Sequence, residues 1–106
     1  MSSARIDRYN NLIASFPTLE RKGKATPNTS ANGYMFTFLT KEGDMAVRLS
    51  KERIEDYTNE GALPCVQHGR TMKDFIQIPE VWWNDSERIR NLIEESFEHT
   101  NGLKPK

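Results

Sequence analysis

Apolar residues recur at helical spacing in three stretches of the chain. In residues 4–16 they occupy every third or fourth position up to Pro17, which predicts a first helix with the buried stripe Ile6, Tyr9, Ile13 and Phe16. Ser50 is a favourable N-cap for a second helix over residues 51–60, which Gly61 would end. A third helix is predicted for residues 86–100, with apolar positions Ile89, Leu92, Ile93 and Phe97.

Elsewhere the apolar residues alternate with other side chains, as they do in strands. Residues 34–39 and 45–49 predict a β-hairpin around a Gly-containing turn, and we expect its two arms to be central strands. Residues 62–69 and 72–78 predict a second hairpin, which stops at Pro79. Residues 20–26 neither favour nor exclude a short edge strand. Lys and Gly are poor strand formers, but charged side chains are typical of protected sheet edges.

These elements predict an α+β fold in two layers. The order is helix, two or three strands, helix, two strands, helix, and the strands within each group are joined by short turns. Short connections favour an antiparallel sheet, with the helices packed on it. A length of 106 residues fits a single domain over residues 1–106.

Composition and charge argue against some classes of function and favour others. The chain is 36% hydrophobic and 28% charged, with 15 basic and 15 acidic residues, so its formal net charge is zero. A nucleic-acid-binding domain is typically basic, so we expect no direct binding of nucleic acid. The first 50 residues carry +3 and the remainder −3, an asymmetry that favours self-association or a polar partner.

The sequence shows neither the cysteine pattern of a secreted protein nor a signal peptide, so we expect a cytoplasmic location. Cys65 is the only cysteine, and no apolar segment of signal-peptide type follows the first residues. The apolar runs are far shorter than the 18 or more residues of a membrane-spanning helix, so we expect no membrane association.

Residues with catalytic or metal-binding chemistry are sparse. Cys65 and His68 form a Cys-x-x-His pair, and with His99 as the only other histidine the ligands are too few to predict a metal site. No glycine-rich phosphate loop is present. The neighbouring carboxylates Glu94 and Glu95 are interpreted as a solvated helix face, because adjacent helical side chains diverge. We therefore expect no catalytic residues, no metal and no cofactor.

Basic residues and one polar loop give the candidate binding residues. Arg48, Arg70 and Lys73 lie on or near predicted strands and could contact an anion together with the loop 26–32, which ends at Asn32. The guanidinium of Arg48 could hold a carboxylate in bidentate fashion. An exposed strand face is the simpler and favoured explanation of Arg48.

Trp82 and Trp83 are the candidate interface residues. In a regular segment only one of two adjacent side chains faces the core, so the other would be exposed and available to a partner. An irregular loop that folds both rings over the end of the sheet is the alternative.

Several motifs resemble the TfoX/Sxy N-terminal-domain family, whose namesake is a bacterial regulator of natural competence. The resemblance rests on Asn32-Gly33-Tyr34-Met35-Phe36, Arg48-Leu49, Gly61-Ala62-Leu63-Pro64, Met72-Lys73-Asp74-Phe75-Ile76-Gln77-Ile78-Pro79 and Leu103-Lys104-Pro105-Lys106. It implies a secretion-chaperone-like order α-β-β-β-α-β-β-α with about five strands, the edge strand near residues 20–26 included. It also implies a bacterial, cytoplasmic and non-enzymatic domain. Competence regulators of this kind carry a second, helical C-terminal domain, and we expect this chain to be a stand-alone copy without it.

Two functions are therefore expected. The first is a non-catalytic regulatory or protein-interaction domain, which binds a protein partner or forms a homodimer through a sheet edge or the Trp82/Trp83 surface. The alternative is a small anionic-ligand-binding protein, or an unrecognised enzyme, that uses the 26–32 loop and the basic strand residues.

Overall fold

A computed structural model describes residues 3–24 and 26–105 of the chain. Over these residues the predicted α+β order α-β-β-β-α-β-β-α is confirmed, with one additional short 3₁₀ helix before the last helix. The elements are α1 (Ser3–Ala14), β1 (Asn28–Ala31), β2 (Tyr34–Leu39), β3 (Met45–Arg48), α2 (Lys51–Asn59), β4 (Leu63–Gln67), β5 (Arg70–Gln77), the 3₁₀ helix (Glu80–Asn84) and α3 (Ser86–Asn101). That residues 1–106 form a single domain stays a prediction, because residues 1, 2, 25 and 106 lie outside the described residues.

The five strands form one antiparallel sheet with the order β1-β2-β3-β5-β4. β2 and β3 are interior strands, which confirms the expectation for the first hairpin. Thr37 of β2 pairs with Val47 of β3, and Val47 pairs in turn with Ile76 of β5. β4 and β5 confirm the second hairpin, whose turn is formed by His68 and Gly69 in the left-handed region.

The edge strand lies later than expected. Of the described residues between 20 and 26, only Lys22 takes part in strand pairing, through a single bridge to Asn28, and β1 itself begins at Asn28. The expectation of a strand at 20–26 is therefore wrong in position; Ala25 lies outside the described residues. Asn32 and Gly33 both have positive φ, 56° and 85°, which is the geometry of a tight type I′ hairpin turn. That turn fixes residues 28–31 as the partner of β2.

Local side-chain chemistry sets the helix ends. The Ser50 hydroxyl accepts a hydrogen bond from the Arg53 amide and begins α2, as predicted. The Asp85 carboxylate accepts one from the Arg88 amide and begins α3, which ends before Gly102. α1 ends at Ala14, two residues before the predicted limit, where the Ser15 hydroxyl donates to the Leu12 carbonyl.

The main core lies between the helices and one face of the sheet. All three helices contribute to it, α1 and α3 with fully buried residues and α2 with half-buried ones. Its fully buried side chains include Tyr9, Ile13, Phe36, Leu39, Met45, Val47, Leu49, Ile76, Ile78, Ile89, Leu92 and Ile93. Burial of this apolar area is the main stabilising term for the fold.

A β-bulge divides the aromatic residues of β2 between the two faces of the sheet. The register between β1 and β2 shifts at Phe36, so Phe36 and Thr37 both face the helices. Phe36 packs edge-on against Phe97 of α3, with 5.6 Å between ring centroids, and the Thr37 hydroxyl bonds the Tyr9 hydroxyl at 2.8 Å. Phe38 consequently belongs to a smaller cluster on the opposite face. The members of that cluster are Phe38, Ala46, Cys65 and Phe75, with Met35 and Met72 packed against them.

We predict that Trp82→Ala costs about 3–5 kcal/mol in the free energy of unfolding, the range for loss of a buried aromatic ring. Trp82 is 6% exposed and packs edge-on against Tyr57 of α2, with 6.3 Å between ring centroids. Its neighbour Val81 is 67% exposed, so Val81→Ala serves as the matched control and should cost less than about 0.5 kcal/mol. Urea denaturation of both variants measures this, and equal small losses would contradict the placement of Trp82 in the core.

Candidate functional site

Arg48 is engaged with its own neighbours on the open face of the sheet. Its Nε donates to the Met35 carbonyl at 2.9 Å, and its Nη1 lies 3.5 Å from an Asp74 carboxylate oxygen. The guanidinium also lies over the Phe75 and Tyr34 rings, at 4.7 and 5.4 Å from their centroids. These contacts use much of the hydrogen-bonding and ion-pairing capacity of the Arg48 guanidinium. The sequence had suggested that this group could bind the carboxylate of a ligand.

Asn32 connects the β1–β2 turn to the chain beyond α3. Its side-chain amide donates to the Thr100 carbonyl at 3.3 Å and to the Leu103 carbonyl at 2.6 Å. The Tyr34 hydroxyl donates to the Lys104 carbonyl at 2.8 Å and extends the same attachment. The Asn32 and Tyr34 side chains therefore hold residues 100–104 against the β1–β2 hairpin.

Arg70 and Lys73 are the two exposed cations of β5. Within the described part of the chain neither side chain forms a hydrogen bond or an ion pair, although the backbone of Arg70 pairs with Gln67. In the 26–32 loop, Asn28 bonds the Thr26 carbonyl at 2.8 Å, and the buried Thr29 hydroxyl bonds Thr37 at 2.6 Å. Anion binding by this loop together with the basic residues stays a prediction.

The two tryptophans have different environments, because the 3₁₀ helix turns Trp82 into the core. Trp83 is half-buried, and the Arg8 guanidinium of α1 lies 3.9 Å from its ring centroid. Arg8 also forms a bidentate pair with Glu80, and its hydrogen bonds hold the pKa of Glu80 below the usual range. An interface role for Trp82 and Trp83 stays a prediction, and Trp83 is the one with substantial exposed surface.

Trp83 lies at one end of a groove on the outside of the helical layer, which runs along α3, first beside α1 and then beside residues 16–19. A first section of about 320 Å³ is lined by Arg8, Asn11, Leu12, Ser15, Trp83, Ser86, Ile89 and Arg90. A second section of about 230 Å³ is lined by Phe16, Thr18, Leu19, Ile93, Glu94, Phe97 and Glu98. Arg90 of the first section lies over the Phe16 ring of the second at 4.3 Å, so this contact lies between the two adjoining sections. We call the whole feature the α1–α3 groove.

The charges on the rim of the α1–α3 groove are not neutralised at close range. Arg90 donates to the Ser15 hydroxyl at 2.6 Å, but no carboxylate among residues 3–24 and 26–105 forms an ion pair with it. Within the same residues the exposed carboxylates of Glu94 and Glu98 have neither a hydrogen bond nor an ion pair. The groove therefore has an unpaired cation in its first section and unpaired anions in its second.

Glu95, next to Glu94 in sequence, is used inside the molecule. It joins α3 to α2 by accepting hydrogen bonds from Arg53 Nε at 2.8 Å and from the Tyr57 hydroxyl at 2.7 Å. Burial alone would raise the pKa of Glu95, but these two donors hold it below its ordinary value. A polar groove of about 360 Å³ lies beside this network, lined by Arg53, Tyr57, Glu60, Asp85, Glu87, Arg88, Asn91 and Leu92.

The Cys-x-x-His pair is split between two environments. Cys65 is buried in β4, with its Sγ 4.0 Å from Met72 Sδ, and burial raises the pKa of its thiol to about 11. His68 is exposed in the β4–β5 turn with φ of 53°. In the part of the chain that the structure describes, no three His, Cys, Asp or Glu residues are grouped as metal ligands would be.

Sequence reasoning did not select the rim of the groove. It assigned Glu94 to a solvated helix face and did not single out Arg90 or Glu98. The spacing of Arg90 and Glu94 does place them on one face of α3, but only the tertiary contact with α1 makes that face a groove.

We predict that the free energy of unfolding of the Glu95→Gln variant falls less steeply toward acid pH than that of the wild type. A carboxyl group whose pKa is lowered by folding stabilises the fold above its unfolded pKa of about 4.3, and this contribution is lost as the pH falls through the folded pKa. The wild type should therefore lose stability below about pH 4.3 more steeply than the variant. Urea denaturation across this pH range measures the difference. Glu94→Gln is the control on the adjacent residue and should keep the wild-type slope, and identical slopes for all three proteins would contradict the prediction.

We predict that Cys65 reacts slowly with iodoacetamide in the folded protein at pH 8. Only the thiolate is nucleophilic, and both the raised pKa and the burial of the sulfur oppose alkylation. Mass spectrometry over time should show rapid alkylation in concentrated urea and little without it. Equal rates in the two conditions would contradict the buried placement of the thiol.

The comparisons with known proteins leave the family open. No family model matches the sequence, and no curated protein matches it significantly. In the described part of the chain, no helix has both the length and the apolar character to cross a membrane.

Proposed function

We propose that this chain is a non-catalytic protein-interaction domain of a regulatory kind, similar to the TfoX/Sxy N-terminal domains and cytoplasmic in a bacterium. The observation that supports the proposal is the α1–α3 groove, which combines a partly exposed apolar floor with unpaired charges on its rim. Its contact surface is the outer side of the helical layer, including Trp83.

The apolar floor gives such a surface its binding energy. Leu12, Leu19, Trp83 and Phe97 are all half-buried at the groove and pack on the main core beneath. Each has apolar area that a partner would remove from water, which favours association by about 25 cal/mol per Å². Aromatic and arginine side chains are also the types enriched in protein interfaces.

The rim gives the surface its specificity. Arg90 in one section and Glu94 and Glu98 in the other select a partner whose charges follow the opposite order. All three charges lie on α3, which packs on the core through its buried face, so the free protein already presents the pattern that a partner would meet.

A photocrosslinking experiment tests the proposed function. A photoreactive phenylalanine analogue replaces the exposed Asn11 at the groove, and in a control protein it replaces the exposed Glu55 on α2. After irradiation in the native cells, we expect discrete protein adducts from position 11 that are absent from position 55. Unlabelled wild-type protein should compete with them.

Two results of this experiment would contradict the proposal. If positions 11 and 55 give the same adducts, or if position 11 gives none while the protein is folded and abundant, the groove is not a protein-binding surface.

A further inference from the structure

We propose that the partner in the α1–α3 groove is a second copy of this chain, in a two-fold symmetric dimer in which Arg90 of each copy pairs with Glu94 of the other. The inference rests on the proposed function and specifies its partner. Its basis is the opposite unpaired charge of the two adjoining sections of the α1–α3 groove.

The groove has a direction. Along α3 it begins at the section with Arg90 and continues to the section with Glu94 and Glu98. A two-fold axis through the middle of the groove places a second copy antiparallel to the first. The basic section of each copy then lies opposite the acidic section of the other, which is the self-complementarity that a symmetric dimer needs.

Helical spacing makes the pairing geometrically consistent. Arg90 and Glu94 are four residues apart in α3, so their side chains project from one face within one turn of each other. An axis that passes between them brings Arg90 of one copy to Glu94 of its partner, and the same contact is then made a second time. The guanidinium of Arg90 makes one hydrogen bond, to Ser15, and so retains N–H donors for a carboxylate.

The sheet edge is less suited to this role. Leu63 and Val66 of the edge strand β4 are 45% and 48% exposed, but Pro64 between them has no N–H to donate to an added strand. At the other edge, Lys22 already pairs with Asn28 of β1. Charge complementarity is found at the α1–α3 groove, and we therefore place the dimer there.

The contact area points to a reversible dimer. α3 has 16 residues and is about 24 Å long. The area buried by one face of two such helices is at the small end of the range of buried areas for specific interfaces. We expect a dissociation constant in the micromolar range, measurable by sedimentation equilibrium over a concentration series.

Charge reversal tests the pairing. Arg90→Glu places two acidic residues opposite each other across the axis, and Glu94→Arg places two basic ones, so each single variant should dimerise at least about tenfold more weakly than the wild type. The double variant Arg90→Glu/Glu94→Arg restores opposite charges and should dimerise nearly as the wild type does. A mixture of the two single variants should form a heterodimer, although neither associates with itself.

Matched controls separate the interface from general charge and from folding. Lys51→Glu and Glu55→Arg make the same charge changes on exposed positions of α2 and should leave the dissociation constant unchanged. Far-ultraviolet circular dichroism on heating shows whether each variant is folded. A single variant that fails to fold is replaced by the neutral Arg90→Gln or Glu94→Gln, which should weaken the dimer less than reversal.

The outcomes separate the inference from the proposed function. A wild-type dimer that the reversals do not weaken, or that the double variant does not restore, overturns the pairing. A monomeric wild type at millimolar concentration overturns the dimer. If the wild type is monomeric but position 11 gives adducts with another protein, the dimer is wrong and the proposed function holds with a different partner. If the wild type is monomeric and position 11 gives no adducts, both the dimer and the proposed function are wrong.

Discussion

The burial of one face of the sheet under all three helices is the constraint on which the rest of the structure depends. β2, β3 and β5 are interior strands, and Leu39, Val47 and Ile76 face the helices and are fully buried. Because all three helices cover the same face, α1 and α3 lie side by side, and their outer surfaces meet along the α1–α3 groove. The groove is thus a consequence of the layer arrangement and is held rigid by the same core.

Several hydroxyl groups and a carboxylate in and beside this core bond other side chains of the molecule, whereas Arg90, Glu94 and Glu98 on the rim form no ion pair within the described residues. The Tyr9, Thr37 and Thr29 hydroxyls bond one another beneath α1, and burial raises the pKa of Tyr9. Glu95 is bound by Arg53 and Tyr57, while its neighbour Glu94 projects from the other side of α3 without a partner in the described residues. Of these adjacent carboxylates, Glu95 joins α3 to α2, whereas Glu94 is exposed at the α1–α3 groove.

Local pattern predicted most of the fold. Helical spacing, N-caps and alternation were sufficient for three helices and two hairpins, because these signals come from neighbours in sequence. The edge strand was misplaced because residues 28–31 are polar and carry no alternation; the Asn32-Gly33 turn that fixes them was the available signal. The bulge at Phe36 could not be foreseen either, since strict alternation would place Phe36 and Phe38 on one face.

The candidate site was harder to predict for a physical reason. Residues of a surface groove are far apart in sequence, as Ser15 and Arg90 are, and only the packing of α1 beside α3 brings them together. Composition showed opposite charge on the two halves of the chain, but Arg90, Glu94 and Glu98 all lie in the second half. It could not indicate which charges are already paired inside the fold, and Arg48 and Asn32 both proved to be engaged with the protein itself.

The most direct test of the account is the concentration dependence of the backbone amide NMR spectrum, recorded from millimolar to low micromolar protein. If the α1–α3 groove is the interaction surface, dilution should shift the amide signals of residues near Leu12, Ser15, Arg90 and Glu94 together along one binding curve, while those of α2 stay in place. Shifts confined to β4, or to the surface around Arg70 and Lys73, would contradict the account and place the contact elsewhere.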